Sequence, residues 1–188
     1  MKTRILLAAL PLAVFSAACD NDPSGPGETE NKSQVAISYS GGVSGSFAVE
    51  GEYVPGTAPN TQAFAIAIPQ SDGSLEVNAY RQRGGARFDI ASITLPNPAV
   101  GQRTVELCPG ETCSSVSLGL DIGQSHGSEA AQTCHLRTGT VTVTALSATR
   151  VSGTVSGSGF CLQRGGGDEL PFQISSGTFS VDVFQQSL

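Results

Sequence analysis

The sequence has no tryptophan, only three tyrosines and two histidines, and no run of basic residues. Carbohydrate-binding surfaces usually present aromatic platforms, so this scarcity disfavours a glycan-binding module. Two histidines are a weak basis for a metal centre, and we predict no metal site and no cofactor. The lack of a basic run argues against a nucleic-acid partner.

Charged side chains make up only 14% of the chain. All sixteen acidic residues follow position 19, whereas Lys2 and Arg4 precede it. Removal of the first eighteen residues would leave eight basic and sixteen acidic side chains, a net charge of −8. A domain this acidic is poorly suited to electrostatic adhesion to an anionic lipid surface.

The N-terminus has the pattern of an export signal. Lys2 and Arg4 form a positive start, and the apolar stretch from Ile5 to Phe15 is too short to span a bilayer as a helix. The small residues Ser16-Ala17-Ala18 then lead directly into Cys19. We therefore predict a signal peptide over residues 1–18.

Small residues running into a cysteine resemble the lipobox of bacterial lipoproteins, in which the cysteine is acylated and becomes the first mature residue. The family prefers leucine three positions before that cysteine, and this chain has Ser16. Because 16–18 also satisfy the ordinary cleavage rule, a freely secreted protein is the alternative. The chain has five cysteines, and lipidation of Cys19 leaves an even number to pair.

The segment after Cys19 contains no apolar side chain over residues 20–34 and is rich in proline, glycine, serine and acids. This composition predicts a flexible tether. The expected organisation is a signal peptide over 1–18, the lipid-bearing cysteine with its tether over 19–34, and a single β domain over 35–188. The expected location is the cell envelope, with membrane attachment through the N-terminal lipid outside the cytoplasm.

Strand-length runs separated by turn residues continue from Val35 to the C-terminus, and no window shows helical spacing. Ten or so short strands with glycine-rich turns are typical of antiparallel all-β folds. We predict an antiparallel β-sandwich, with an open β-barrel as the alternative.

A hairpin is predicted around Gly84-Gly85, because two glycines accept the positive φ of a tight turn. The register expected from a centred turn pairs Ala79 with Ile90 and Val77 with Ser92. It places Val77, Ala79, Phe88 and Ile90 on one face of the sheet.

A second hairpin, around Ser147-Ala148, brings two cysteines together. A two-residue turn there pairs Cys134 with Cys161, within bridging distance. The apolar pattern prefers a register shifted by one, with Val141 opposite Val155 and Ala145 opposite Val151. We predict a Cys134–Cys161 disulfide, with a bulge within Gly157-Ser158-Gly159 joining the two registers.

Cys108 and Cys113 bracket Pro-Gly-Glu-Thr, and Pro-Gly is a favoured turn pair. In an oxidising compartment this spacing predicts a second disulfide, Cys108–Cys113, around a short loop. Zinc binding by the two cysteines is the alternative.

The C-terminal stretch GTVTVTALSATRVSGTVSGSG, followed by ISSGTFSVDVF, resembles the end of small β-sandwich domains in exported bacterial lipoproteins of unknown function. The shared features are a G-x-V-x-V strand, a V-S-G-T strand and a closing G-T-F strand. The resemblance covers about 50 residues; it implies a fold and a location, and no activity.

Two motifs bear on chemistry. Residues 123–127 match G-x-S-x-G, which in α/β-hydrolases places a nucleophilic serine on a strand-to-helix turn, and Ser125 would be that nucleophile. The only later histidine is His135, and no alternating β-α pattern surrounds the motif, so an exposed loop is the preferred interpretation.

The second motif is a cluster of arginines, Arg81, Arg83 and Arg87, at the Gly84-Gly85 hairpin tip. Guanidinium forks suit carboxylates and phosphates, so this tip is a candidate surface for an anionic ligand or partner. The simpler interpretation is a solvated tip that discourages edge pairing.

Three functional hypotheses follow. The first is a non-enzymatic, lipid-anchored envelope protein whose β domain binds an envelope protein or glycan or has a structural role. The second is a ligand-binding module for a glycan or small anion, favoured by a concave surface holding Tyr39, Tyr53 or Tyr80 beside Arg81. The third, a serine hydrolase built on Ser125, needs a base within hydrogen-bond reach.

Overall fold

The computed structural model describes residues 32–57, 62–85, 87–107, 113–123 and 131–184. Its ten strands are, in chain order, β1 (Gln34–Gly41), β2 (Gly45–Glu50), β3 (Phe64–Pro69), β4 (Leu75–Gly84), β5 (Arg87–Leu95), β6 (Gly101–Glu106), β7 (Ser115–Gly123), β8 (Gln132–Leu146), β9 (Arg150–Gln163) and β10 (Leu170–Asp182). Within the described residues, no helix is long and apolar enough to cross a membrane.

All ten strands belong to one sheet with the order β2-β1-β10-β9-β8-β7-β5-β4-β3, and β6 pairs separately with β8. The pairings between strands are antiparallel. The prediction of an antiparallel all-β domain is therefore confirmed. The two runs LPFQIS and TFSVDVFQ, expected as separate strands, form the single strand β10, which has a bulge between Ile174 and Gly177.

The sheet curls until its two ends meet, so it is nearly closed like a barrel. The backbone N–H of Ala65 on β3 donates to the Gly51 carbonyl, just past β2, at 3.1 Å. The N–H of Phe184, just past β10, donates to the Ala67 carbonyl at 2.8 Å. These bonds cover the edge of β3 and leave fewer groups open to another chain.

The core is the inner face of the curled sheet. Its largest fully buried side chains include Phe47, Ile37, Ile93, Leu118 and Leu136. At its N-terminal boundary Ser33 is 1% exposed, and the hydroxyl accepts a hydrogen bond from the Asp182 N–H at 2.9 Å. The packed domain thus includes Ser33, which lies within the predicted tether.

The predicted disulfide between Cys134 and Cys161 is present, and the two residues lie opposite each other on β8 and β9. Both cysteines are fully buried. Val141 lies opposite Val155, as predicted, but Ala145 pairs with Ser152 and not with Val151.

The bulge that joins the two registers lies on β8 and not within 157–159 of β9. Leu136 pairs with Gly159 and Thr138 with Ser158, which leaves Arg137 as the extra residue. The reason is geometric. Between these two pairs, moving away from the turn, β8 advances by two residues and β9 by only one, so the additional residue belongs to β8. A Cβ on Gly159 would meet the His135 carbonyl, so the backbones are in close contact here.

The register of the Gly84-Gly85 hairpin also differs from the prediction by one residue. Ala79 pairs with Ala91 and Val77 with Ile93, all facing the core. The turn is closed by Gly84 and Arg87, one residue later than predicted, which alone would move each partner by two residues. Arg83, an extra residue on β4, takes back one of these two. Phe88 therefore lies on the opposite face, and so does Ile90, the partner of Tyr80. A shift of one residue moves every side chain of a strand to the other face.

Candidate functional site

The arginines of the hairpin tip are held by carboxylates of the same chain. Asp89 lies opposite Arg81 across β4 and β5, and its side chain is 0% exposed. The Nε of Arg81 donates to Oδ2 of Asp89 at 3.0 Å, and the Nε of Arg83 donates to Oδ1 at 2.6 Å. Both guanidinium groups therefore share one buried anion.

Two further contacts tie this network to the rest of the barrel. The backbone N–H of Asp121 donates to Oδ1 of Asp89 at 2.8 Å, and a φ of 56° at Asp121 marks the bulge on β7 that brings it there. Nη1 of Arg81 donates to the Ser46 carbonyl on β2 at 2.9 Å, and its guanidinium lies 5.1 Å from the centroid of the Phe47 ring. Arg81 thus links β4 to β2, and these strands lie near opposite ends of the sheet order.

The third arginine, Arg87, contacts Asp121 at 3.2 Å, and its side chain is 55% exposed. The predicted anionic-ligand surface of Arg81, Arg83 and Arg87 is therefore already supplied with internal carboxylates. An external anion would have to compete with Asp89 and Asp121, so the geometry indicates a structural ion network at one end of the barrel.

The pKa of Asp89 reflects this network. Burial alone would raise the pKa, but the Asp121 N–H and the guanidinium groups of Arg83 and Arg81 outweigh it, and the pKa lies below its ordinary value of 3.8. A carboxyl group with a lowered pKa stabilises the fold above its unfolded pKa and loses that contribution as pH falls through the folded pKa.

We expect the Asp89→Asn variant to have a flatter acid dependence of stability than the parent protein. The parent should lose free energy of unfolding as pH falls below 3.8, whereas the variant has no carboxyl group at this position to protonate. Urea unfolding of both proteins from neutral pH to below that value measures the difference. Parallel curves would show that Asp89 does not carry the acid sensitivity.

A concave site of the domain lies elsewhere, on the outer face of β3 and β4. A cleft of about 240 Å³ opens there. It is lined by four aromatic rings, two isoleucines and one amide: Tyr53, Phe64, Tyr80, Phe184, Ile66, Ile68 and Asn78. The sequence AFAIAIP explains the local structure, because strand alternation sends Ala65 and Ala67 into the core and Phe64 and Ile66 outward.

Four rings form a continuous aromatic cluster along the cleft. The centroid of Phe64 lies 4.9 Å from that of Tyr80 and 5.0 Å from that of Tyr53. Tyr53 in turn contacts Phe184 edge to face at 6.0 Å. These contacts bury Phe64 to 2% exposure on the outer face of the sheet, so β3 is buried on both of its faces.

The polar group in this apolar setting is the carboxamide of Asn78. Asn78 is 8% exposed, lies opposite Ile66, and lines the cleft. Within the described part of the chain its side chain forms no hydrogen bond with another protein group. The amide atoms still reach the solvent of the cleft, so their donor and acceptor are available to whatever occupies it.

The electrostatics of the cleft are those of a neutral to acidic site. Burial and the nearby Glu76 raise the pKa of Tyr80, so its phenol stays protonated at neutral pH. An adjoining cavity of about 190 Å³ shares Tyr53 and Phe184 with the cleft and adds Glu52 and Asp182. Among the described residues, no lysine or arginine lines either cavity.

The concave surface expected for a ligand-binding module is thus present in part. Tyr53 and Tyr80 lie together in the cleft. Tyr39 is on the other side of the sheet, where its ring lies 5.8 Å from that of Phe172, and Arg81 points away from the cleft toward Asp89. Sequence reasoning missed Asn78, although a lone amide between apolar strand residues was a visible signal.

The other predicted residues are placed as follows. Cys113 is disulfide-bonded, and its predicted partner Cys108 lies outside the described residues, so that pairing stays a prediction. Cys19 and Ser125 also lie outside them. His135 on β8 packs against Phe160, and burial lowers its pKa.

Metal ligands do not cluster in the described ranges, where no group of three or more histidine, cysteine, aspartate or glutamate side chains is suitably placed. Comparison of the chain with protein-family models, with curated proteins and with solved structures gave no match. Function is therefore inferred from the leader and from the geometry of the cleft.

Proposed function

We propose that this protein is a lipid-anchored envelope protein whose β domain is a non-enzymatic binding module. The leader over residues 1–18 and the cysteine that follows it support export and lipidation at Cys19. The buried Cys134–Cys161 disulfide supports an oxidising compartment, because such bonds form and persist outside the cytoplasm. A tether over 19–34 would hold the domain away from the membrane surface.

The observation that carries the binding role is the Asn78 amide, buried at the aromatic cleft without a protein partner. The amide nitrogen and oxygen of Asn78 still reach the solvent in the cleft, so a ligand that displaces this solvent must supply hydrogen bonds to both atoms or lose about 1–3 kcal/mol. Binding sites have this composition: mostly apolar walls with a few convergent polar groups that orient the ligand. The cleft therefore supplies the binding surface of the proposed module.

Lipidation at Cys19 is tested by expressing the full chain in a Gram-negative host. We expect the protein in the detergent phase of the membrane fraction, with an intact mass that begins at residue 19 and includes acyl chains. The Cys19→Ala variant should lose this modification completely, because only the cysteine thiol accepts the lipid.

The Ser16→Ala variant is the matched control, because it changes the same leader and keeps a small residue before the cysteine. It should stay lipidated. A parent protein recovered outside the membrane fraction, unmodified and beginning at residue 19, would contradict the anchor and identify a secreted protein.

A further inference from the structure

The cleft on β3 and β4 differs from a simple hydrophobic patch in one respect. A purely apolar ligand would satisfy the aromatic walls and leave both the donor and the acceptor of Asn78 without a partner in a water-excluded site. That loss costs about 1–3 kcal/mol. The ligand must therefore carry polar groups at its Asn78 end and apolar surface against the rings.

Charge narrows the ligand class further. Glu76 is near Tyr80, and Glu52 and Asp182 line the adjoining cavity. No cationic side chain of the described residues lines either cavity. Asp182 is paired with Arg150 at 2.7 Å, so the carboxylates that would repel an anionic ligand are Glu76 and Glu52. The chemistry favours a neutral ligand.

The volume of the cleft and its access to solvent limit the size of the ligand. About 240 Å³ is below the usual range of roughly 300–1,000 Å³ for pockets that enclose drug-sized ligands. The cleft opens to solvent, so it holds one small ring and lets the rest of a longer ligand extend outward. A pyranose has this shape, with an apolar C–H face and neighbouring hydroxyl groups that both donate and accept hydrogen bonds.

We propose that the cleft binds one uncharged sugar ring of a glycan. The C–H face of the ring packs against the Tyr53 and Tyr80 side chains. The Asn78 carboxamide donates to one hydroxyl oxygen and accepts a hydrogen bond from its neighbour. This inference rests on the proposed binding role of the cleft and names the ligand class for it.

The test uses intrinsic tyrosine fluorescence, since the chain has no tryptophan and two of its three tyrosines line the cleft. The full chain is titrated with cellobiose, maltose and N,N′-diacetylchitobiose, and separately with glucuronic acid as the anionic counterpart. We expect saturable binding of at least one neutral sugar and none of glucuronic acid.

Asn78→Leu should weaken that binding about tenfold or more, the effect of losing about 1.4 kcal/mol of hydrogen bonding. Gln82→Ala is the matched control, because Gln82 is exposed two residues beyond Tyr80 on the same face of β4. It should bind like the parent. Tyr80→Leu removes a sugar-facing ring, and its loss of binding serves as a second readout if Asn78→Leu unfolds.

Nile red, an uncharged dye with apolar rings and one carbonyl acceptor, separates failure of the sugar inference from failure of the cleft. Dye binding that Tyr80→Leu abolishes, without any sugar binding, would overturn the sugar assignment and leave the binding role intact. If neither sugars nor dye bind, both proposals fail. Tighter binding of glucuronic acid than of neutral sugars would overturn the charge argument.

Discussion

Replacing Asp89 with alanine should lower the free energy of unfolding by about 3 kcal/mol, the lower end of the cost of breaking a buried ion pair. Asp89 is fully buried and accepts hydrogen bonds from Arg81, Arg83 and the Asp121 backbone. Its removal would leave two guanidinium groups and one N–H without their acceptor. The lower end applies because the side chains of Arg81 and Arg83 are 26% and 40% exposed and would keep some contact with water.

Glu169→Ala is the matched control, because it breaks an arginine–carboxylate pair of similar length at the surface. Arg137 contacts Glu169 at 2.7 Å, and the two side chains are 52% and 47% exposed. Exposed pairs contribute about 0–1 kcal/mol. Equilibrium unfolding in urea of both variants checks the difference. Equal losses for the two would show that the Asp89 network is no more than a surface feature.

Removing the Cys134–Cys161 disulfide should lower the free energy of unfolding by about 3 kcal/mol. The bond joins residues 27 apart in sequence, and cross-linking a loop of this length restricts the unfolded chain by an amount in that range. The Cys134→Ala/Cys161→Ala double variant also loses a buried contact between β8 and β9. We therefore expect a lower urea midpoint and a lower Tm, with the same all-β circular dichroism.

Thr142→Ala/Thr154→Ala provides the control for a double change across the same two strands. Thr142 and Thr154 are direct partners on β8 and β9, and Thr154 is exposed. The free energy of unfolding of this control variant should fall by less than about 1 kcal/mol. A cysteine variant as stable as the parent would mean that the sheet alone fixes the contact between β8 and β9.

The strand content and one disulfide could be predicted because their signals are local. Alternating apolar residues between glycine-rich turns predict the antiparallel domain. Cys134 and Cys161 lie at equal distances before and after the Ser147-Ala148 turn, and this symmetry predicts their pairing. The position of the bulge could not be predicted from composition, since the glycines of β9 suggested it there. The structure places it at Arg137, where the register requires an extra residue on the earlier strand.

The hairpin around Gly84-Gly85 shows why register is harder to predict. Strand alternation identifies a register only when one face is polar, and here both faces are apolar. Val77 and Ala79 face the core, whereas Tyr80 belongs to the outer aromatic cluster and its ring lies 6.1 Å from that of Phe88. The error of one residue hides the pairing of Arg81 with Asp89, so the sequence alone suggests a solvated or ligand-binding tip.

The cleft depends on contacts that no local pattern reveals. The run AFAIAIP indicates a strand buried on both faces, but its outer face is covered by Tyr53, Tyr80 and Phe184, of which Phe184 is far away in sequence. The fold brings them together across the point where the two ends of the sheet meet. A scarcity of aromatic residues in the whole chain therefore said little about their density at one site.

The most direct test of the binding role is the NMR signal of the Asn78 side-chain amide. Its pair of resonances is identified by its absence from the spectrum of Asn78→Leu. If the cleft is the binding site, titration with the neutral sugar that binds best in the fluorescence assay should shift this pair progressively to saturation, with the exposed Gln82 amide unchanged. Binding that leaves the Asn78 resonances unmoved would place the ligand elsewhere and contradict the cleft as the functional site.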